Sequence, residues 1–169
     1  ELGSISDWQA EWKWDGIRAQ VIKRADEVFI WSRGEDLMTD RFPEIEKTAR
    51  DLPNGTVLDG EILPWLNGRV LPFTELQKRI GRKNLSPKIL SELPVVIQTY
   101  DLLEHEGRDI RQLEFKTRRE FLTEVMKTLP DVSKKVIFPT DSVEAASWEH
   151  LAEIREQSRS LGVEGFMLK

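Results

Sequence analysis

Cysteine is missing from the chain altogether. That removes disulfide frameworks and thiolate metal sites and leaves nothing that points to an oxidising compartment, so a cytosolic setting is expected. Long apolar runs are missing too, since none approaches the roughly 18 residues that a membrane helix needs. The first residues, E-L-G-S-I-S-D-W, have neither the basic start nor the apolar stretch of a signal peptide. An excess of positive charge is also absent: 25 Lys and Arg against 30 Asp and Glu give a net charge of −5. Holding nucleic acid by bulk electrostatics needs a positive surface, so only a local basic face remains open for that purpose. Histidine is reduced to His105 and His150, neither beside a ligand pattern, and both read as surface residues. What is present is 169 residues with 39% apolar content, enough for one core and tight for a second full domain.

Repeats and low-complexity stretches do not occur, and Gly and Pro act as ordinary turn punctuation. Strands are expected over Trp8 to Trp14, Ile17 to Lys23 and Val28 to Trp31, the last after a polar turn at Ala25-Asp26-Glu27. Pro43 suits a first helical position, and Ile45, Ala49 and Leu52 continue at helical spacing up to Pro53-Asn54-Gly55. A strand over Thr56 to Leu63 then meets the two-residue hairpin signal Asn67-Gly68. Short helices are expected at Thr74 to Ile80 and Pro87 to Leu93, a buried strand at Val95 to Leu103, and a longer helix at Leu113 to Leu129. Strands at Lys135 to Phe138 and Val163 to Lys169 flank a helix of about Ser147 to Ser160, with Gly162 past its end. The order lacks regular β-α-β alternation and predicts an α+β domain with antiparallel sheets. Glu1 is not a methionine and Lys169 ends on a strand, so both ends read as cut.

Glu11-Trp12-Lys13-Trp14-Asp15-Gly16-Ile17-Arg18 packs two acids, an amine and a guanidinium into eight residues between two strands. One reading is plain: an Asp-Gly hairpin turn with solvated charges. The other is a lysine nucleophile. A lysine attacks phosphorus only as the neutral amine, so a pKa ordinarily near about 10.4 has to be lowered by burial or by a neighbouring cation such as Arg18 or a metal. Asp15 pulls the other way, Gly16 lets backbone approach a phosphate, and Arg18 offers a planar fork to phosphate or ribose oxygens. The octet alone leaves both readings open.

Four further segments follow in order: W-S-R-G-E-D-L-M-T-D-R-F-P-E-I at 31 to 45, L-D-G-E-I at 58 to 62, T-Y-D-L-L at 99 to 103 and E-G-F-M-L-K at 164 to 169. With E-W-K-W-D-G-I-R they resemble the ordered motifs of the covalent nucleotidyltransferases, the superfamily of DNA ligases, RNA ligases and mRNA capping enzymes, and most of all ATP-dependent DNA ligases. The resemblance implies a two-sheet, ATP-grasp-like α+β adenylation domain, antiparallel sheets flanked by helices with the nucleotide between them. It implies that Lys13 becomes adenylated by ATP, that Glu11 faces the adenine amino group and favours ATP over GTP, and that Trp12 frames the nucleotide pocket. It further places Arg33 near nucleotide and nick, Arg18 at the nucleotide, Glu61 at the ribose or a magnesium ion, Tyr100 against adenine, Glu164 at the metal and Lys169 at a phosphate. Tyr100 departs from the family's usual phenylalanine and adds a hydroxyl that needs a partner if buried. Each segment also has a structural alternative: a turn at Arg33-Gly34, a solvated Glu61, a core Tyr100, a surface Glu164–Lys169 pair.

Gln77 to Lys88 gathers five cations in twelve residues, and Arg79, Arg82, Lys83 and Lys88, with Arg33, are candidate DNA contacts; a solvated helix-loop-helix face is the alternative. F-T-E-L-Q-K-R-I-G-R-K and S-L-G-V-E-G-F-M-L-K resemble bacterial ligases associated with a helicase and an exonuclease in repair. The resemblance therefore implies a monomeric, cytoplasmic, nucleoid-associated bacterial enzyme acting on nicked double-stranded DNA. It also implies that the family's last motif, with its lysine pair, and an oligonucleotide-binding domain lie beyond Lys169, so that residues 1 to 169 are one truncated adenylation domain. Two rivals stay open: an RNA ligase or capping-type guanylyltransferase, and a non-catalytic nucleotide- or DNA-binding module. The six tryptophans, Trp12 excepted, read as mostly core.

Overall fold

The structure, a computed structural model, describes residues 2–82 and 84–169. In chain order its elements are β1 (Ala10–Trp14), β2 (Ile17–Arg24), β3 (Glu27–Ser32), α1 (Pro43–Ala49), β4 (Thr56–Leu66), β5 (Arg69–Val70), α2 (Phe73–Ile80) and α3 (Pro87–Glu92). They continue as β6 (Val95–His105), β7 (Arg108–Asp109), α4 (Phe115–Thr128), β8 (Ile137–Pro139), β9 (Ser142–Val143), α5 (Trp148–Arg155), α6 (Ser158–Leu161) and β10 (Val163–Leu168). No helix among the described residues is long and apolar enough to cross a membrane.

Local chemistry accounts for most boundaries. Ala25 and Asp26, at φ 51° and 63°, turn β2 into β3, and Asn67-Gly68, at 51° and 78°, turns β4 into β5, as the two-residue hairpin signal predicts. Pro43 starts α1, and the hydroxyls of Ser86 and Ser147 accept the N–H groups of Ile89 and His150 to cap α3 and α5. The single helix expected from about Ser147 to Ser160 is instead two. The Ser158 hydroxyl donates to the Arg155 carbonyl and that of Ser160 to Gln157, so side chains compete for the carbonyls that a continuous helix would use. Gly162, at φ 69°, then closes α6.

Two compact units result, residues 1–15 with 140–169, and residues 16–139. The smaller holds a three-stranded antiparallel sheet in the order β10-β1-β9 with α5 and α6. In it, Trp12 stacks on Phe166 at 4.3 Å between ring centroids, and backbone bonds between Gln9 and Lys169 extend the β1–β10 ladder. Trp12 pairs with Phe166 but Trp14 with Val163, so β10 carries a bulge around Gly165, whose φ is 129°.

The larger unit is built on a seven-stranded sheet, β3-β2-β4-β6-β7 with β5 on β4 and β8 on β6. Antiparallel pairing holds throughout except between β8 and β6, which run parallel. One face is apolar: Val21, Ile30, Leu58, Ile62, Ile97 and Leu102 are at most 0% exposed and pack in one cluster with Ile45 of α1 and Leu122 of α4. At about 1.5–3 kcal/mol for each fully buried aliphatic side chain, this face fixes which residues of β2, β4 and β6 point the other way. Those others carry the candidate site residues of the larger unit.

Candidate functional site

In the smaller unit the bulge at Gly165 decides which side chains meet. Without it, Glu164 would share a face with Phe166; with it, Glu164 joins the face of β1 that carries Glu11 and Lys13. Lys13 Nζ lies 2.5 Å from Glu164 Oε2, with both side chains about half exposed, 51% and 49%. Two residues back on β1, Glu11 is 2% exposed; its Oε2 accepts from Lys169 Nζ at 2.7 Å and its Oε1 from Gln9 Nε2 at 2.7 Å. Four sequence-predicted residues, Glu11, Lys13, Glu164 and Lys169, are thus brought together. Trp12 points to the opposite face of β1, where it stacks on Phe166, and does not join them.

The Asp15-Gly16 step is not a hairpin turn, because β1 and β2 belong to different sheets and do not pair. Gly16 is required for another reason: a Cβ there would lie 2.4 Å from the Ile62 carbonyl oxygen and 2.7 Å from Leu63 Cδ2.

In the larger unit, Arg18 of β2 stands opposite Glu61 of β4, which stands opposite Gln98 of β6, a cross-strand row on the face away from the core. Beside this row lies a residue that sequence reasoning missed. Asp59 is 3% exposed and takes a bidentate grip from Arg18, Nε to Oδ1 at 3.2 Å and Nη2 to Oδ2 at 2.6 Å. The Tyr100 hydroxyl donates to Asp59 Oδ1 at 3.4 Å, which supplies the partner its extra oxygen requires, and the Arg18 guanidinium sits over the Tyr100 ring at 5.9 Å. Burial first, then the Asp59 charge, push the Tyr100 hydroxyl well above the usual tyrosine range, so it stays protonated as a donor. The bond to Asp59 likewise raises the Arg18 guanidinium, which stays charged. The signal in the sequence was the Asp of L-D-G-E, two residues before Glu61 and on the same face of the strand.

Arg33 follows β3, tied to β2 by its N–H donating to the Arg18 carbonyl at 3.1 Å. A cleft of about 570 Å³ runs along this part of the unit, lined among others by Arg18, Gln20, Trp31, Arg33 and Asp59. Trp31 is 38% exposed there and is not a core residue, because its pairing with Gln20 puts it on the outward face.

The basic segment is divided by the structure. Arg79 is not available to phosphate: it is 0% exposed, on the inner face of α2 with Leu76, and forks onto both oxygens of Glu44 at 2.6 Å while donating to the Leu93 and Arg41 carbonyls. Arg82 is exposed, its carbonyl accepting from Arg41, and Lys88 is exposed beside Glu92 at 3.7 Å. Lys83 lies outside the described residues. His105, expected at the surface, stacks on Phe121 at 4.8 Å with its Nδ1 buried.

Residues 4–169 match the family model described as the ATP dependent DNA ligase domain. A probable DNA ligase of Opitutus terrae is 42% identical over 120 residues, 70% of this chain and 12% of that protein. A probable DNA ligase of Koribacter versatilis is 48% identical over 96 residues, 57% of this chain and 17% of that protein. The chain thus spans less than a fifth of the length of these two relatives. Among solved structures, a mycobacterial DNA ligase D complexed with ATP and MES is 26% identical with a TM-score of 0.74, covering 98% of this chain and 49% of that one. With its two sheets and its ordered motif residues, the chain belongs to the ATP dependent DNA ligase domain family.

Proposed function

We propose that the protein carrying this chain seals nicks in double-stranded DNA with ATP, and that Lys13 is the residue it adenylates. The observation that carries the reading is Lys13 at the end of β1, half exposed and held by Glu164 on the face it shares with Glu11 and Lys169. The ATP held by the mycobacterial relative supports the nucleotide.

The reaction is three transfers at phosphorus. Lys13 Nζ gives up a proton and attacks the α-phosphorus of ATP; a P–N bond forms and pyrophosphate leaves. Glu164, 2.5 Å away and half open to solvent, is placed to take that proton and pass it to water. A 5′-phosphate oxygen at the nick then attacks the same phosphorus, the P–N bond breaks, and the Lys13 amine is restored. Finally the 3′-hydroxyl attacks the 5′-phosphate, loses its proton and displaces AMP.

In the larger unit, Tyr100 takes adenine on its ring, Arg18 and Arg33 take phosphate or ribose oxygens, and Glu61 takes the ribose. In the smaller unit, Lys169 faces phosphate and Trp12 braces β1 from behind. Glu11, an acceptor by chemistry, reads the adenine amino group.

Among the described residues no group of three or more His, Cys, Asp or Glu is placed to hold a metal. Magnesium asks for no such cage, because it binds through one or two carboxylates plus substrate phosphates, and Glu61 or the exposed carboxylate of Glu164 fits that demand. When bound it offsets the triphosphate charge.

Arg33, Arg82, Lys83 and Lys88 are the proposed contacts to DNA. Residues 1–169 are read as one adenylation domain of a monomeric bacterial cytoplasmic enzyme acting at the nucleoid. The remaining motif and an oligonucleotide-binding domain would come from further chain, in keeping with the greater length of the relatives. The test is incubation of the whole ligase with α-labelled ATP and magnesium, followed by mass spectrometry of the peptide holding Lys13. An AMP adduct on Lys13 that Lys13→Ala abolishes is expected; label retained by that variant rejects the assignment.

A further inference from the structure

Gln98 belongs to no motif, yet it continues the cross-strand row Arg18–Glu61–Gln98, which runs on to Phe138 of β8. It is 8% exposed, and among the described residues its Oε1 has no hydrogen-bond partner. Its strand neighbours Val96 and Ile97 are apolar and buried, so an aliphatic side chain would be the cheaper occupant of this position. Buried amides are nearly always satisfied, and an amide left short of a partner on a binding face points to a group that completes it.

The chemistry of that group is narrowed by position. Gln98 lies two residues before Tyr100 on the same strand, roughly 6–7 Å along it, and directly opposite Glu61. On the function proposed above, Tyr100 holds the base and Glu61 the sugar, so the amide stands level with the sugar. A ribose hydroxyl is both donor and acceptor and pairs with either end of a glutamine amide, whereas a phosphate oxygen only accepts and an adenine amine mainly donates.

We infer that Gln98 is a specificity-determining residue of the larger unit's nucleotide face, bonding a ribose hydroxyl and so selecting ATP over its deoxy forms. A site that hydrogen-bonds a substrate hydroxyl rejects the analogue lacking it, because its own buried polar group is then left unpaired.

The test is the affinity of the whole ligase, without magnesium, for ATP, 2′-deoxy-ATP and 3′-deoxy-ATP, unsubstituted and as Gln98→Met. Because all three nucleotides meet the same folded fraction, their affinity ratios are insensitive to a partial loss of fold; Gln98→Leu serves if the methionine variant fails to fold. One neutral hydrogen bond corresponds to about a three- to tenfold preference for ATP over one deoxy form. That preference should fall to about one in the variants through weaker ATP binding alone. An unchanged preference overturns the inference, and so does equal weakening of all three nucleotides. No ATP binding by the unsubstituted whole ligase would instead reject the functional reading on which the inference rests.

Discussion

The two units present charge in opposite ways. On the smaller one, Lys13 and Glu164 meet at 2.5 Å with about half of each side chain in water. On the larger one, Asp59 is 3% exposed and grips Arg18 with both oxygens while Tyr100 adds a third bond. An exposed pair is worth about 0–1 kcal/mol and forms and breaks freely, which would suit the role proposed for Lys13, an amine that loses a proton and changes partners during each turnover. Arg18 is 51% exposed, like Lys13, but a two-point grip on a buried carboxylate is stiffer, and on the function proposed above stiffness suits groups that hold a nucleotide in one pose. On the proposed function, chemistry falls to the loose pair and binding to the stiffer one.

Removing the fully buried arginine should cost most. Arg79→Met leaves Glu44 without its fork and should destabilise the fold by about 3–5 kcal/mol, read as the drop in urea-unfolding free energy. Asp59→Asn comes next. It weakens charged hydrogen bonds to Arg18, each worth about 1.5–3 kcal/mol, although Arg18 can turn to solvent, so a loss of about 1–2 kcal/mol is expected with markedly weaker ATP binding. Glu164→Gln should alter stability by less than about 1 kcal/mol while slowing adenylate formation in the whole enzyme. If Glu164→Gln destabilises as much as Asp59→Asn, the contrast between a loose and a rigid half is wrong.

How much of this the sequence disclosed depends on whether the relevant spacing was local. Pro43, Ser86, Ser147, Asn67-Gly68 and Gly162 act within four residues of themselves, and the elements they bound were legible. The two-residue strands β7 and β9 are too short to show any period, and neither was foreseen. The motif residues were legible as an ordered set, but their neighbours were not. Asp59 meets Arg18 and Tyr100 across 41 residues in each direction, through strand register that no local pattern encodes. Gln98 enters the site row for the same reason. Arg79 is one more cation by charge alone, but its helical phase, three residues after Leu76, puts it on the buried side of α2. Glu164 depends on a bulge at Gly165, which shifts faces without leaving a trace in residue type beyond the glycine itself.

The smallest effect tests the rigid half most directly. Tyr100 is the chain's one tyrosine, so phenolate absorbance reports on it alone. Burial and the Asp59 charge hold its folded-state pKa above the ordinary value of about 10, and a raised pKa stabilises the fold only below the unfolded value. Stability should therefore be level through neutral pH and begin to fall above about pH 10, where the unfolded chain loses the tyrosine proton and the folded chain keeps it. Spectrophotometric titration of the folded chain should show no phenolate near pH 10, with ionisation arriving only as the fold is lost. Tyr100→Phe should remove its part of that alkaline decline while costing about 1 kcal/mol or less at neutral pH, since it deletes one long hydrogen bond and keeps the ring. Asp59→Asn removes the charge but leaves the burial, so phenolate should then form at a lower pH than in the unsubstituted chain. Phenolate appearing at the ordinary pH in the intact fold would mean that Tyr100 stands open to water and that the Asp59 network is as loose as the Lys13–Glu164 pair.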